Sequence, residues 1–201
     1  MKVLSTNGVR LVLERQGVAA VFGTTADLKA RMEGGEAFDV AVLTAAAIDE
    51  LAEKRIVLAE TRVEVARSGA GVAVRAGARR PDVSSAEAFR RTLLAAKSVA
   101  YVGTSVTAGY LRDIFKRLGI VREMKAKSTV LSGMLAAEAV AKGDAELALT
   151  QISEIVDVAG VELAGPFPPE LQVYTVFTAA VSPSAREPQA ARELVARLAS
   201  L

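Results

Sequence analysis

The sequence contains no cysteine, no histidine and no tryptophan. Without the first two there can be no thiolate nucleophile, no Ser-His-Asp triad, no His-ligated zinc site and no disulfide. Any proton-transfer group would have to be a carboxylate, a lysine, a tyrosine or an activated hydroxyl. Aromatic residues are scarce, with six Phe and three Tyr. So little stacking surface argues against nucleic-acid binding. No apolar run approaches the roughly 18 residues that a spanning helix requires, so membrane insertion is not expected.

Neither sign of charge dominates. Lys plus Arg is 25 against 23 acidic residues, a balance of +2 spread along the chain. The pairs Arg79-Arg80 and Arg90-Arg91 fall in loop or exposed-helix contexts and read as solvated surface charge. A basic segment followed by an apolar one and a small-residue cleavage site is also missing at the amino terminus. The expected location is periplasmic if a signal peptide has been removed, and cytoplasmic if Met1 is the native start.

What is present is apolar residue in quantity: 51% of 201 positions, enough for a packed core in one large domain or two small lobes. The apolar runs share one habit. Val3-Leu4 leads into Ser5-Thr6-Asn7-Gly8, Ala19 to Phe22 into Gly23-Thr24-Thr25, and Val40 to Leu43 into Thr44. Each reads as a buried strand ending in small polar residues before a helix. The helix patterns are Val9 to Arg15, Ala26 to Glu33 and Ala45 to Lys54. Three strand-helix pairs in succession imply a parallel α/β lobe with right-handed crossovers.

From Arg62 the apolar period shortens to that of a long strand, loosened at Gly69 and Gly71. The breaker-rich stretch Ala76 to Pro81 is the expected passage into a second lobe. There, helices are expected over Ala86 to Lys97, Ala108 to Leu118 and Met134 to Ala141. Strands are expected over Ser98 to Val102 and Leu147 to Leu149, and the segment Gly165 to Pro169 as a rigid loop. A strand over Val173 to Val181 and a helix over Glu187 to Leu201 complete the reading. The predicted division is 1–74 with 173–201 for the first lobe and 75–172 for the second.

A helix start carries about half a positive charge and several unpaired N–H donors, so strand ends of this kind suit an anion without a lysine. Ser5, Asn7, Gly8, Thr24, Thr25 and Thr44 are the candidate donors of the first lobe, and Ser105, Thr107 and Gln151 those of the second. Arg67 could pair bidentately with a ligand carboxylate. On that reading the ligand leans toward an organic anion, and Arg67→Ala weakens its binding more than tenfold. No catalytic residue, metal site or cofactor is indicated.

The segments Val3 to Gly8, Phe22 to Thr25, Gly35 to Thr44, Ala66 to Arg75 and Ala148 to Glu154 resemble, in order, the molybdate-binding-protein-like extracellular solute-binding proteins. The resemblance implies a periplasmic binding protein type II-like fold, with two α/β lobes, mostly parallel sheets and a hinge of crossing strands, closing on an anion in the cleft. It puts Ser5, Asn7, Gly8, Thr24, Thr25 and Thr44 on one lobe, Ser105 and Thr107 on the other and Gln151 near the hinge. The first helix is shorter than the family's, and Thr104 to Gly109 departs from its glycine-and-serine pattern. The group also resembles aconitate isomerase, so the alternatives are an isomerase of a small polycarboxylate or a cytosolic anion sensor. The implied partners are a small anion and, for an exported protein, an ABC transporter permease.

Overall fold

The computed structural model describes residues 1–199. The chain forms two compact units, Met1–Arg67 with the segment from Thr175 onward, and Ser68–Tyr174. Both passages between them lie in strands. The first falls between Arg67 and Ser68, inside the strand expected to end near Val74, so the loop 76–81 belongs wholly to the second unit.

In unit 1, β1 (Val3–Thr6), β2 (Val21–Gly23) and β3 (Val40–Thr44) run parallel in the order β2-β1-β3, and β9 (Tyr174–Val181) joins β3 antiparallel. Leu4, Val40, Val42 and Leu43 are fully buried, because helices cover a parallel sheet on both faces. Those helices are α1 (Arg10–Arg15), α2 (Thr25–Glu33), α3 (Ala45–Glu53) and α9 (Pro188–Leu198). Apolar residues three or four apart, Leu28 with Met32 and Ile48 with Leu51, turn one face of each inward. A single 3-10 turn, Asn7–Val9, precedes α1. The last expected helix also took in Ser200 and Leu201, which lie outside the described residues.

Asp39 fastens this unit at its other end. Its carboxylate accepts the backbone N–H of Lys2 at 2.5 Å and of Arg186 at 2.6 Å. Burial pushes the Asp39 carboxyl up, but the two amide bonds outweigh burial, and its pKa lies below the ordinary value.

In unit 2, β5 (Val99–Val102), β6 (Ser128–Leu131) and β7 (Leu147–Gln151) are parallel. β4 (Val63–Arg75) enters from unit 1 and runs antiparallel to β7, giving the order β4-β7-β5-β6, while β8 (Val161–Pro166) also pairs with β4. Gly71 is where β4 is approached most closely: a Cβ there would lie 2.8 Å from the side chains of Ile152 and Leu163.

The helices are α4 (Ala86–Ala95), α5 (Val106–Arg117), α6 (Val121–Lys127), α7 (Ala136–Lys142) and α8 (Ile152–Ile155). The end of α4 is held by the Lys127 ammonium, which donates to the carbonyls of Leu94 at 2.6 Å and Ala96 at 2.8 Å. Four elements were not anticipated: α6, β6, α8 and β8. The last takes in Gly165 and Pro166, which sequence assigned to a loop.

Candidate functional site

Because β2, β1 and β3 are adjacent and parallel, their carboxyl ends form one rim, as open α/β sheets require. Thr6 stands opposite Gly23, and Thr44 opposite Phe177 of β9. Thr24 caps α2, its hydroxyl accepting the Asp27 N–H at 3.2 Å and donating to the Asp27 carboxylate at 2.7 Å. Thr44 caps α3 through the Ala47 N–H. Both hydroxyls are thus engaged within their own helix starts. Thr25 differs: its hydroxyl is buried and makes no hydrogen bond. Ser5 is wholly buried and donates to the Thr6 carbonyl at 3.1 Å.

Gly8 has a packing reason for its identity. A Cβ at this position would sit 2.4 Å from the Phe177 ring, so only glycine lets the turn after β1 settle on β9. Asn7 leads to a residue that sequence reading passed over. Its amide oxygen accepts a hydrogen bond from the Arg10 guanidinium at 3.2 Å, and that guanidinium lies 4.3 Å from the centre of the Phe22 ring. The Arg10 Nε is buried with no hydrogen-bond partner, and Glu14 reaches Nη1 only at 4.0 Å. The signal in the sequence was an arginine three residues beyond Asn7, one turn of helix away.

Unit 2 has its own rim, at the carboxyl ends of β5 and β7. Ser105 caps α5: its hydroxyl accepts the Ala108 N–H at 3.2 Å and donates to the Val102 carbonyl at 2.7 Å. Thr107 and Gln151 are both buried, and the Gln151 amide donates to the Thr107 hydroxyl at 3.2 Å. The β4-β7 register ends with Ala70 opposite Gln151, and just beyond it Ser68 of β4 meets the first turn of α8 at Ser153. The Ser68 hydroxyl accepts the Ser153 N–H at 3.2 Å, and the Ser153 hydroxyl is buried without a partner. The Thr150 hydroxyl bonds the Glu154 carboxylate.

Arg67 goes elsewhere. Successive residues of a strand face opposite ways, so with Ser68 turned inward Arg67 is turned out. Its side chain is 65% exposed and grips both oxygens of Glu64, at 2.5 and 3.1 Å. That pairing lowers the Glu64 pKa and raises that of Arg67. The guanidinium therefore already has a carboxylate within its own strand. Ser68 and Ser153 were also missed, since alternation along β4 alone does not say which of Arg67 and Ser68 turns inward. Among the described residues no cluster of acidic side chains could hold a metal ion.

Comparison with known proteins agrees with this architecture. The structure superposes on the periplasmic molybdate-binding protein of Azotobacter vinelandii with a TM-score of 0.78 at 17% identity, over 98% of this chain and 92% of that one. The tungstate ABC transporter structure from Geobacter sulfurreducens matches with a TM-score of 0.66 at 13% identity, over 97% and 91%. Both likenesses are of fold. In sequence, a Pseudomonas protein named aconitate isomerase is 33% identical over 170 residues, which is 85% of this chain and 65% of that protein. The chain thus spans about two thirds of that relative's length. A family model described as bacterial extracellular solute-binding protein matches residues 14–201, and the chain belongs to that family.

Proposed function

We infer that the solute is a small organic carboxylate, and the observation that carries this reading is the placement of Arg10. A tetrahedral oxyanion can be held by neutral N–H and O–H donors alone, whereas a carboxylate gains most from a planar guanidinium fork. Arg10 is stacked on Phe22 and tethered to Asn7, so little side-chain freedom is lost when it takes a ligand. Its buried Nε is a donor in want of an acceptor. Within the same unit, the unbonded hydroxyl of Thr25 is a further neutral donor. For an exported form of the protein, the ligand would pass to an ABC transporter permease.

Isothermal titration calorimetry with citrate, cis- and trans-aconitate, molybdate, tungstate and sulfate tests the proposal. One carboxylate should bind per chain. Arg10→Ala should weaken that binding by at least tenfold while Arg67→Ala leaves it unchanged. Tight binding of molybdate with none of any carboxylate would overturn the reading.

A second reading, isomerisation of aconitate, is favoured by the 33% identity to the protein of that name. The reaction removes a proton beside a carboxylate and returns one at the allylic carbon. With no histidine or cysteine the base would be a carboxylate, a lysine, a tyrosine or an activated hydroxyl, and Glu154, which the Thr150 hydroxyl bonds next to Gln151, is a carboxylate candidate. Conversion of cis- to trans-aconitate followed by absorbance decides it: a rate equal to that in buffer removes the activity.

A further inference from the structure

Arg79, Arg80 and Arg91, which read in sequence as solvated surface charge, line one cavity of about 940 Å³ in unit 2. Its walls are the turn after β4, the last turn of α4, and the starts of β5 and β7 at Ser98 and Leu147. It therefore lies at the amino ends of β5 and β7, the sheet edge opposite the rim that bears Ser105 and Gln151. The carboxylate site proposed above leaves this cavity unused.

The charges in the cavity are unequal. Arg75, Arg79, Arg80, Arg91 and Lys97 face two carboxylates, Asp82 and Glu146. Both carboxylates are engaged by the fold. Asp82 accepts the N–H and hydroxyl of Ser84, at 3.0 and 2.7 Å, and Glu146 accepts the Lys97 backbone N–H at 2.7 Å. Arg80 and Arg91 form ion pairs with Glu162 and Glu87, with both arginine side chains 62% exposed. Pairs of that kind are weak and easily exchanged. Arg79 and Lys97 take no part in the ion pairs found among the described residues.

We propose that this cavity is a docking site for an acidic peptide segment of a partner protein. Its cations are long, exposed side chains, suited to salt-dependent attraction of a charged chain rather than to the buried, fixed donors of a small-molecule site. No aromatic residue lines it, so it gives a nucleobase nothing to stack on. Asp82 and Glu146 would repel a uniformly charged phosphodiester backbone, while a peptide can set neutral residues against them. Pro81, Ala95, Ala96 and Leu147 supply apolar wall for those neutral residues.

Fluorescence anisotropy with a fluorescein-labelled dodecapeptide of alternating Glu and Ala tests the site on the intact chain. The expected result is saturable binding that weakens at least tenfold between about 50 and 300 mM NaCl, the range over which screening grows. Arg79→Ala with Lys97→Ala should weaken it at least tenfold at low salt. Arg10→Ala, in the proposed carboxylate site, and Lys125→Ala, a cation of α6 outside the cavity, should not alter it. Circular dichroism checks that the double variant is folded, and Arg91→Ala gives a second, independent reading. The proposal is overturned by absence of saturable binding, by an equal loss in Lys125→Ala, or by a twelve-nucleotide oligothymidine binding as tightly as the peptide. Because Arg10→Ala separates the two sites, failure here leaves the carboxylate reading standing, and the reverse also holds.

Discussion

Gly8 and Phe177 form the tightest pair at the unit 1 rim. A methyl group at Gly8 would have to move the aromatic ring or the turn, since 2.4 Å is well inside van der Waals contact. Gly8→Ala should therefore cost about 1–3 kcal/mol, the usual range for overpacking a closed site. Urea denaturation measures it, and Phe177→Leu in the same chain should return part of the loss by making room. At this scale the sequence misled in one respect. Arg67 drew attention because a guanidinium among small residues looks like a ligand, but its partner Glu64 sits three residues back on the same strand. Period-two alternation already set Arg67 and Ser68 on opposite faces. What alternation could not give was which face turned inward.

Elements with strong local signals were legible from the sequence. β1, β3 and β7 each open on buried apolar residues, and α2, α3, α4 and α5 each begin at a Ser or Thr whose side chain caps the helix. The missed elements lack such signals. β6, Ser-Thr-Val-Leu, is short and largely exposed, and α6 buries only Met124. β8 is half-buried along its length and ends in a proline. These elements are held by their neighbours, as Lys127 holds α4, and not by their own patterns.

The start of β3 shows what a tertiary contact contributes. Asp39 joins Lys2, before β1, to Arg186, before α9, so Asp39→Asn should lower stability by about 1–3 kcal/mol at neutral pH. Its pKa is depressed in the folded state, so the stabilisation is complete above the ordinary value of 3.8 and is lost as pH falls through the folded value. The gap between wild type and Asp39→Asn in urea denaturation should accordingly narrow as the pH is taken below the ordinary value of 3.8.

Across the whole molecule, the lack of histidine has a consequence for binding. No side chain ordinarily titrates near neutrality. The affinity for an anion whose own ionisation is complete should therefore change less than about twofold between pH 6 and pH 8, measured by calorimetry. A steep change would reveal a carboxylate or lysine with a strongly displaced pKa in the site.

The division into two units also has an optical consequence. With no tryptophan, near-ultraviolet emission comes from tyrosine, and Tyr101, Tyr110 and Tyr174 all belong to unit 2. Native tyrosine emission is thus a label for one unit alone, present without any chemistry. An anion that touched only the Arg10 rim would leave that emission unchanged, while far-ultraviolet dichroism reports on both units. Denaturation curves recorded by the two signals would coincide only if the units melt together.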